Sequence, residues 1–138
     1  MENQNLKFDF VFLGQSVLKY QVPLDIFTTI NQIYEQNFHN LAPANGQLVG
    51  KIENEHSLFY HGADQTKMKN HNMLPRNVTD YFMTVFKHYL AFNKIKDYET
   101  HLNSIWVNEM KQHEYNPAHI HRGMLFTGLS SVMILKLP

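Results

Sequence analysis

The spacing of apolar residues changes along the chain, and this change constrains the fold more than any other feature of the sequence. Residues 8–20 (FDFVFLGQSVLKY) are rich in aromatic and β-branched residues around Gly14, which predicts two short strands or one bulged strand. From Pro23 onward, apolar residues recur at steps of three and four, which predicts an amphipathic helix over residues 23–38. A second face of this kind predicts another helix over residues 78–90.

Strand-like spacing returns in the last third of the sequence. Residues 101–110, 117–121 and 128–137 each predict a strand. Residues 39–50 and 62–76 are expected to be irregular connections, the first because of its proline and glycines. Because no internal repeat or linker divides the chain, we expect a single α+β domain over residues 1–138, with helices that support a sheet or barrel.

The composition excludes several classes of function. The 138 residues include no cysteine, which excludes disulfides, thiolate metal sites and a cysteine nucleophile. Twelve Lys and Arg balance twelve Asp and Glu, so we expect no cationic surface for duplex nucleic acid or acidic lipid. No segment approaches the roughly twenty apolar residues of a membrane span, and residues 1–10 lack signal-peptide features. We therefore expect no membrane partner and a cytoplasmic location.

The densest group of candidate metal ligands lies in the run QHEYNPAHIHRG, which contains His113, Glu114, His119 and His121. Residues two apart in a strand share a face, so His119 and His121 would present both imidazoles to one point on the predicted strand 117–121. Without thiolates, such a pair suits iron(II), manganese, cobalt, nickel, copper or zinc. Three other histidines near the predicted connections are interpreted as solvated: His56, His61 and His71.

The residues around this pair resemble a known family over about residues 100–138. The shared elements are, in order, Trp106, Asn108, Tyr115-Asn116-Pro117, His119-x-His121, a glycine and an apolar Ser-Ser-Val strand. They resemble the phage and bacterial iron(II)- and 2-oxoglutarate-dependent oxygenases of prolyl-hydroxylase-like type. The resemblance implies a double-stranded β-helix, also called a jelly-roll or cupin-like barrel, with two supporting helices.

The resemblance also implies roles for four residues. His119 would be the first metal ligand, and His121 would stand where most members of the family have the carboxylate of H-x-D. That departure removes a negative charge from the usual set of two histidines and one carboxylate. Trp106 and Asn108 match strand positions that line the barrel and the cosubstrate site, where Asn108 could hydrogen-bond the cosubstrate. The family's third metal ligand and its basic residue for 2-oxoglutarate would lie beyond Pro138.

The expected function is therefore that of an iron(II)- and 2-oxoglutarate-dependent dioxygenase. It would use O2 to hydroxylate an unknown peptide or small-molecule substrate, in the host cytoplasm if a phage encodes it. The chain would be the N-terminal portion of such a domain, inactive if its closing strands are missing. Two alternatives stay open: a cupin-type metalloprotein, although residues 123–127 offer no carboxylate, and a non-enzymatic jelly-roll structural or binding module of a phage. The apolar last predicted strand also predicts association into a homo-oligomer.

Overall fold

A computed structural model of the chain describes residues 6–12, 16–44, 50–61, 72–119 and 128–137. Helices and strands are mixed, and the described strands form two small antiparallel sheets, which confirms the α+β class. The chain divides into two units: one comprises Met1–Thr29 and Pro75–Leu102, and the other comprises Ile30–Leu74 and Asn103–Pro138.

The first unit contains a β-hairpin and the second of the two helices. Strands β1 (Phe8–Phe12) and β2 (Ser16–Tyr20) pair in antiparallel register, so the predicted pair of short strands is confirmed. Its buried apolar residues include Val78, which is fully enclosed. The Tyr20 hydroxyl and His88 Nδ1 are hydrogen-bonded at 2.7 Å and so connect the hairpin to the helix.

The two predicted helices are confirmed. Helix α1 (Leu24–Asn37) begins directly after Pro23, a residue that suits a helix start because it has no N–H to leave unpaired. Helix α2 (Arg76–Phe92) begins after Pro75 and ends at Asn93, whose backbone N–H donates to the Tyr89 carbonyl at 3.1 Å. Within the described ranges, neither helix has the length and apolar content needed to cross a bilayer.

The second unit is built on strands β3 (Asn54–Tyr60) and β4 (Ser104–Glu109), which pair in antiparallel register. The strand predicted over 101–110 is confirmed as β4, whereas β3 was not predicted. A shift in register between Ser57 and Phe59 leaves Leu58 completely buried. The segment 42–44 lies along the other edge of β3, because the N–H of Ala44 donates to the Glu55 carbonyl at 2.8 Å.

Two predicted strands are wrong where the structure describes them. Residues 117–119 form no strand, because the His119 side chain bonds back to the Pro117 carbonyl in a local turn and Pro117 has no N–H for a ladder. Residues 128–137 also lie outside any strand. An apolar alternating sequence becomes a strand only where another strand edge bonds to it, and no described strand does so here. His121 lies outside the described residues.

Candidate functional site

One face of the β3–β4 sheet brings together two of the residues predicted from the sequence. In the register of these strands, Glu55 lies opposite Asn108 and Ser57 lies opposite Trp106. Directly opposed residues project from the same face, and residues two apart along a strand share that face. Glu55, Ser57, Trp106 and Asn108 therefore form one row of side chains, which we call the Glu55 face.

Glu55 is the most unusual member of this face because it is a carboxyl group with only 5% of its surface exposed. Among the described residues, the buried polar or charged side chains are Glu55 and Ser57. Burial raises the pKa of Glu55, and the hydrogen bond from Asn108 and the nearby charge of His119 act in the opposite direction. Glu55, Asn108 and His119 are thus close enough to interact.

The tautomer of the His119 imidazole follows from its local hydrogen bond. Nδ1 lies 2.7 Å from the Pro117 carbonyl oxygen. A carbonyl oxygen can only accept, so Nδ1 carries the hydrogen and donates it. In the neutral ring, Nε2 then carries the lone pair, which is the arrangement found in most metal-binding histidines.

The segment before His119 is held beside the start of β3 by backbone pairing. The Lys51 N–H donates to the Tyr115 carbonyl at 2.9 Å, and the Tyr115 N–H donates to the Lys51 carbonyl at 3.0 Å. The Glu114 carboxylate accepts the backbone N–H of Glu53 at 2.9 Å and that of Lys111 at 2.8 Å. We call this pairing of residues 50–53 with residues 111–117 the hook. It leads the chain to His119 in the neighbourhood of Glu55.

Trp106 and Asn108 differ in their surroundings. Trp106 is 37% exposed, so a large part of the indole can contact another molecule. The Oδ1 atom of Asn108 is buried and has no hydrogen-bond partner among the described residues. Because Asn108 donates to Glu55, its remaining hydrogen-bonding capacity includes an acceptor that a water, a metal or a donor group could satisfy. Its predicted contact with 2-oxoglutarate stays a prediction.

The donors on this face fit a divalent metal in chemical type. Imidazole nitrogen, carboxylate oxygen and amide oxygen are the ligands preferred by iron(II), manganese and related ions in sites without thiolate. Within the parts of the chain that the structure describes, no three His, Asp or Glu side chains are grouped to hold a metal. His121, the other predicted ligand, lies outside the described residues.

The opposite face of the same sheet shows that His56 is not solvated, contrary to the interpretation from sequence. Its ring centroid lies 4.7 Å from that of Phe38 and 6.3 Å from that of Tyr34. Burial lowers the pKa of His56, with the charge of Glu109 opposing this effect. This histidine packs in an aromatic cluster, away from the Glu55 face.

A concave region lies in the first unit. It is an open groove of about 530 Å³ lined by residues that include Leu6, Pro23 and Phe27. Of the predicted site residues that the structure describes, Trp106, Asn108 and His119, none is among those that line it. We therefore place the candidate site on the Glu55 face.

Sequence reasoning missed Glu55 and Ser57 because the strand that carries them was not predicted. In the run NEHSLFY, a glutamate and a serine occupy the positions that are buried in the folded protein. A half-buried strand normally has apolar residues at such positions, so the run lacks the usual strand pattern. The signal that could have found them is the apolar, aromatic end of this run, which is followed after one residue by a Gly at position 62.

Comparisons of this chain with protein-family models, with curated proteins and with solved structures found no match. The assignment of function therefore depends on the residues of the site.

Proposed function

We propose that the chain binds iron(II) through His119 and His121 and is part of a 2-oxoglutarate-dependent dioxygenase. In this proposal the fold is the N-terminal part of a double-stranded β-helix with two supporting helices. The observation that carries the proposal is the His119 ring. Its Nδ1 is committed to the Pro117 carbonyl at 2.7 Å, so Nε2 is the nitrogen that offers a lone pair, next to a buried carboxyl group.

In this proposal, the residues of the site have different roles. His119 and His121 would hold the metal, and the hook would keep His119 in place through backbone hydrogen bonds that require no particular side chain at position 51 or 115. Trp106, with 37% of its surface exposed, would offer an apolar surface to the substrate or cosubstrate. Asn108 would orient groups at the inner end of the same row.

When bound, iron(II) together with 2-oxoglutarate and O2 supplies oxidative chemistry that converts a C–H bond of a substrate to C–OH, with succinate and carbon dioxide as co-products. The protein contributes a fixed position for the ligands and a partly buried surface that limits the access of water. The substrate class that we propose is a peptide or a small molecule that reaches the exposed side of Trp106.

The proposal is tested by titrating the protein with iron(II) under anaerobic conditions and measuring the affinity by calorimetry. We expect the native chain to bind the metal, and His119→Ala and His121→Ala each to weaken binding by more than about tenfold. His39→Ala is the matched control, since His39 is exposed and lies in a different segment. Absence of iron(II) binding by the native chain would contradict the proposal.

Activity is tested separately by measuring the metal-dependent consumption of 2-oxoglutarate by the protein that the whole open reading frame encodes. Consumption that disappears in His119→Ala would support a dioxygenase. Metal binding without any consumption of 2-oxoglutarate would instead favour a metal-binding module without this activity.

A further inference from the structure

We propose that a cluster of side chains on the opposite face of the β3–β4 sheet binds the guanidinium group of an arginine in a partner peptide. The cluster combines aromatic rings with one carboxylate, and we call it the Tyr34 cluster. Its members are Tyr34, Phe38, Asn54, His56 and Glu109. The proposed binding needs no metal and uses no residue of the Glu55 face, so it goes beyond the proposed function and does not depend on it.

The first support is the geometry that brings a carboxylate next to aromatic rings. In the register of the sheet, Asn54 lies opposite Glu109, and His56 lies two residues further along β3 on the same face. The His56 ring contacts Phe38, with centroids 4.7 Å apart. The rings of Tyr34 and Phe38 lie 5.6 Å apart with their planes at 86°. Both rings are half-buried, so they form a corner that is still partly accessible.

The second support is the way in which the Glu109 carboxylate is oriented. The Tyr34 hydroxyl donates to its Oε2 atom at 3.4 Å, and Nδ2 of Asn54 donates to the same atom at 3.1 Å. Burial and the neighbouring Glu109 raise the pKa of Tyr34 to about 12, so the hydroxyl keeps the proton that it donates. Two neutral donors thus fix the carboxylate without neutralising it. A group that is already oriented loses less conformational freedom when a ligand binds.

The third support is the charge of the cluster. Within the described ranges, no lysine or arginine lies at ion-pair distance from Glu109, and no donor reaches its Oε1 atom. Lys111, two residues further along the chain, is paired instead with Glu53 at 3.0 Å. Burial lowers the pKa of His56, so its ring is mostly uncharged at neutral pH. The cluster therefore has one negative charge beside its rings, which favours a cationic ligand.

A guanidinium group fits this arrangement better than an ammonium group does. It is planar and weakly hydrated, so it can donate N–H groups to a carboxylate while its flat face stacks on an aromatic ring. The Oε1 atom of Glu109 keeps its acceptor sites for such donors, because both hydrogen bonds from the described residues reach Oε2. Since the Tyr34 hydroxyl touches this carboxylate, a guanidinium bound there lies within reach of the Tyr34 ring.

The inference is tested by NMR titration of the ¹⁵N-labelled protein with the peptide acetyl-Gly-Arg-Gly-amide. The matched ligand contains citrulline in place of arginine, which keeps the planar shape and removes the charge, and a third peptide contains lysine. The test variant is Glu109→Gln. The matched control is Glu35→Gln, because Glu35 is an exposed glutamate next to Tyr34 in α1 but outside the cluster. Circular dichroism checks that each variant is folded.

We expect the arginine peptide to bind the native protein at least about tenfold more tightly than the citrulline peptide, and Glu109→Gln to remove this difference. Glu35→Gln should leave it unchanged, and the lysine peptide should bind more weakly than the arginine peptide. Equal losses in the two variants would show a general effect of charge and would overturn the inference. Equal binding of the citrulline or the lysine peptide would overturn it as well.

A measurement on the native protein keeps the inference testable if Glu109→Gln does not fold. In the complex with the arginine peptide, we expect intermolecular nuclear Overhauser effects between the arginine methylene protons and the ring protons of Tyr34 and Phe38. Absence of binding, or contacts only with other parts of the chain, would overturn the inference. None of these results bears on iron(II) binding, which the titration of the proposed function decides separately.

Discussion

His56 and Glu55 are neighbours in β3, yet they face opposite sides of the sheet and differ in how their polar atoms are compensated. Glu55 is hydrogen-bonded by Asn108, whereas Nδ1 of His56 is buried and has no hydrogen-bond partner in the part of the chain that the structure describes. Its ring packs against Phe38 and Tyr34 instead. An unsatisfied buried polar atom opposes folding. Because the buried ring of His56 can also bind a proton, the free energy of unfolding should depend on pH through this residue.

We predict that protonation of His56 destabilises the fold. Burial lowers its pKa below the ordinary value of 6.5, so the unfolded chain binds the proton more tightly than the folded one. The contribution of His56 to stability is therefore complete above about pH 6.5 and declines as the pH falls below it. His56→Phe should remove this decline and raise the free energy of unfolding by about 1 kcal/mol, because the ring stays and the unpaired nitrogen goes.

Urea unfolding between neutral and mildly acidic pH measures this effect. His39→Gln is the control, since it replaces an exposed histidine outside β3. If His56→Phe retains the native pH profile, the histidine is not the group responsible.

Among larger elements, the hook determines where His119 lies. The two chain segments of the hook are only a few residues long. They are held together by the Lys51–Tyr115 backbone pair and by the Glu114 carboxylate. Both parts act on backbone N–H groups, which lose their partners if the hook opens. Substitutions that open the hook should therefore affect His119 without touching it.

Glu114 should make the hook sensitive to acid. Its hydrogen bonds from the N–H groups of Lys111 and Glu53 lower its pKa below the usual 4.5. A lowered carboxyl pKa means that the stabilisation is complete above about pH 4.5 and is lost as the pH falls through the folded-state pKa. Glu114→Gln should weaken this dependence and lower the melting temperature slightly at neutral pH.

Thermal unfolding as a function of pH tests the role of Glu114, with Glu99→Gln as the control at an exposed glutamate outside the hook. Equal melting curves for Glu114→Gln and the native protein at every pH would show that the carboxylate does not hold the hook closed.

Gly50 should be the position in the hook that tolerates substitution least. A Cβ atom at residue 50 would overlap the Tyr115 carbonyl oxygen and would lie 2.8 Å from Cδ of Pro117. The first of these is a backbone atom that cannot rotate away, so Gly50→Ala forces the two chains of the hook apart. We expect a loss of about 1–3 kcal/mol in stability and weaker metal binding at His119.

Urea unfolding and Mn²⁺ titration measure the two effects of Gly50→Ala. Lys51→Ala, at the neighbouring exposed residue, keeps the backbone pair and should leave both quantities near their native values. Native stability in Gly50→Ala would contradict the close approach of the two chains.

The extent to which these elements could be predicted depended on where their stabilising contacts come from. Both helices and the hairpin have local signals, since apolar spacing and Pro23 lie within the elements themselves. β3 has only a weak local signal, the aromatic end of its run, because Glu55 and Ser57 are polar and are buried by partners distant in sequence. Trp106 and Asn108 were proposed as site residues from a resemblance over about residues 100–138, and that resemblance does not extend to Glu55.

Over the whole molecule, charge is balanced but apolar surface is unevenly distributed. Twelve acidic and twelve basic residues leave no net charge that would keep copies of the chain apart. Several apolar side chains in residues 128–137 are strongly exposed, among them Val132 at 91% and Leu137 at 70%. Contiguous exposed apolar surface on a neutral protein favours association.

We predict that the chain self-associates through this segment. The double substitution Val132→Ser and Ile134→Ser should shift the protein toward monomer, because it removes exposed apolar area without changing the charge. Light scattering coupled to size exclusion, over a wide range of protein concentration, measures the average mass. Leu24→Ser is the matched control, since Leu24 is also highly exposed, at 78%, but lies in α1. A native protein that stays monomeric at every concentration would contradict association through residues 128–137. Equal effects of the double substitution and of Leu24→Ser would show that general apolar exposure, rather than this segment, drives the association.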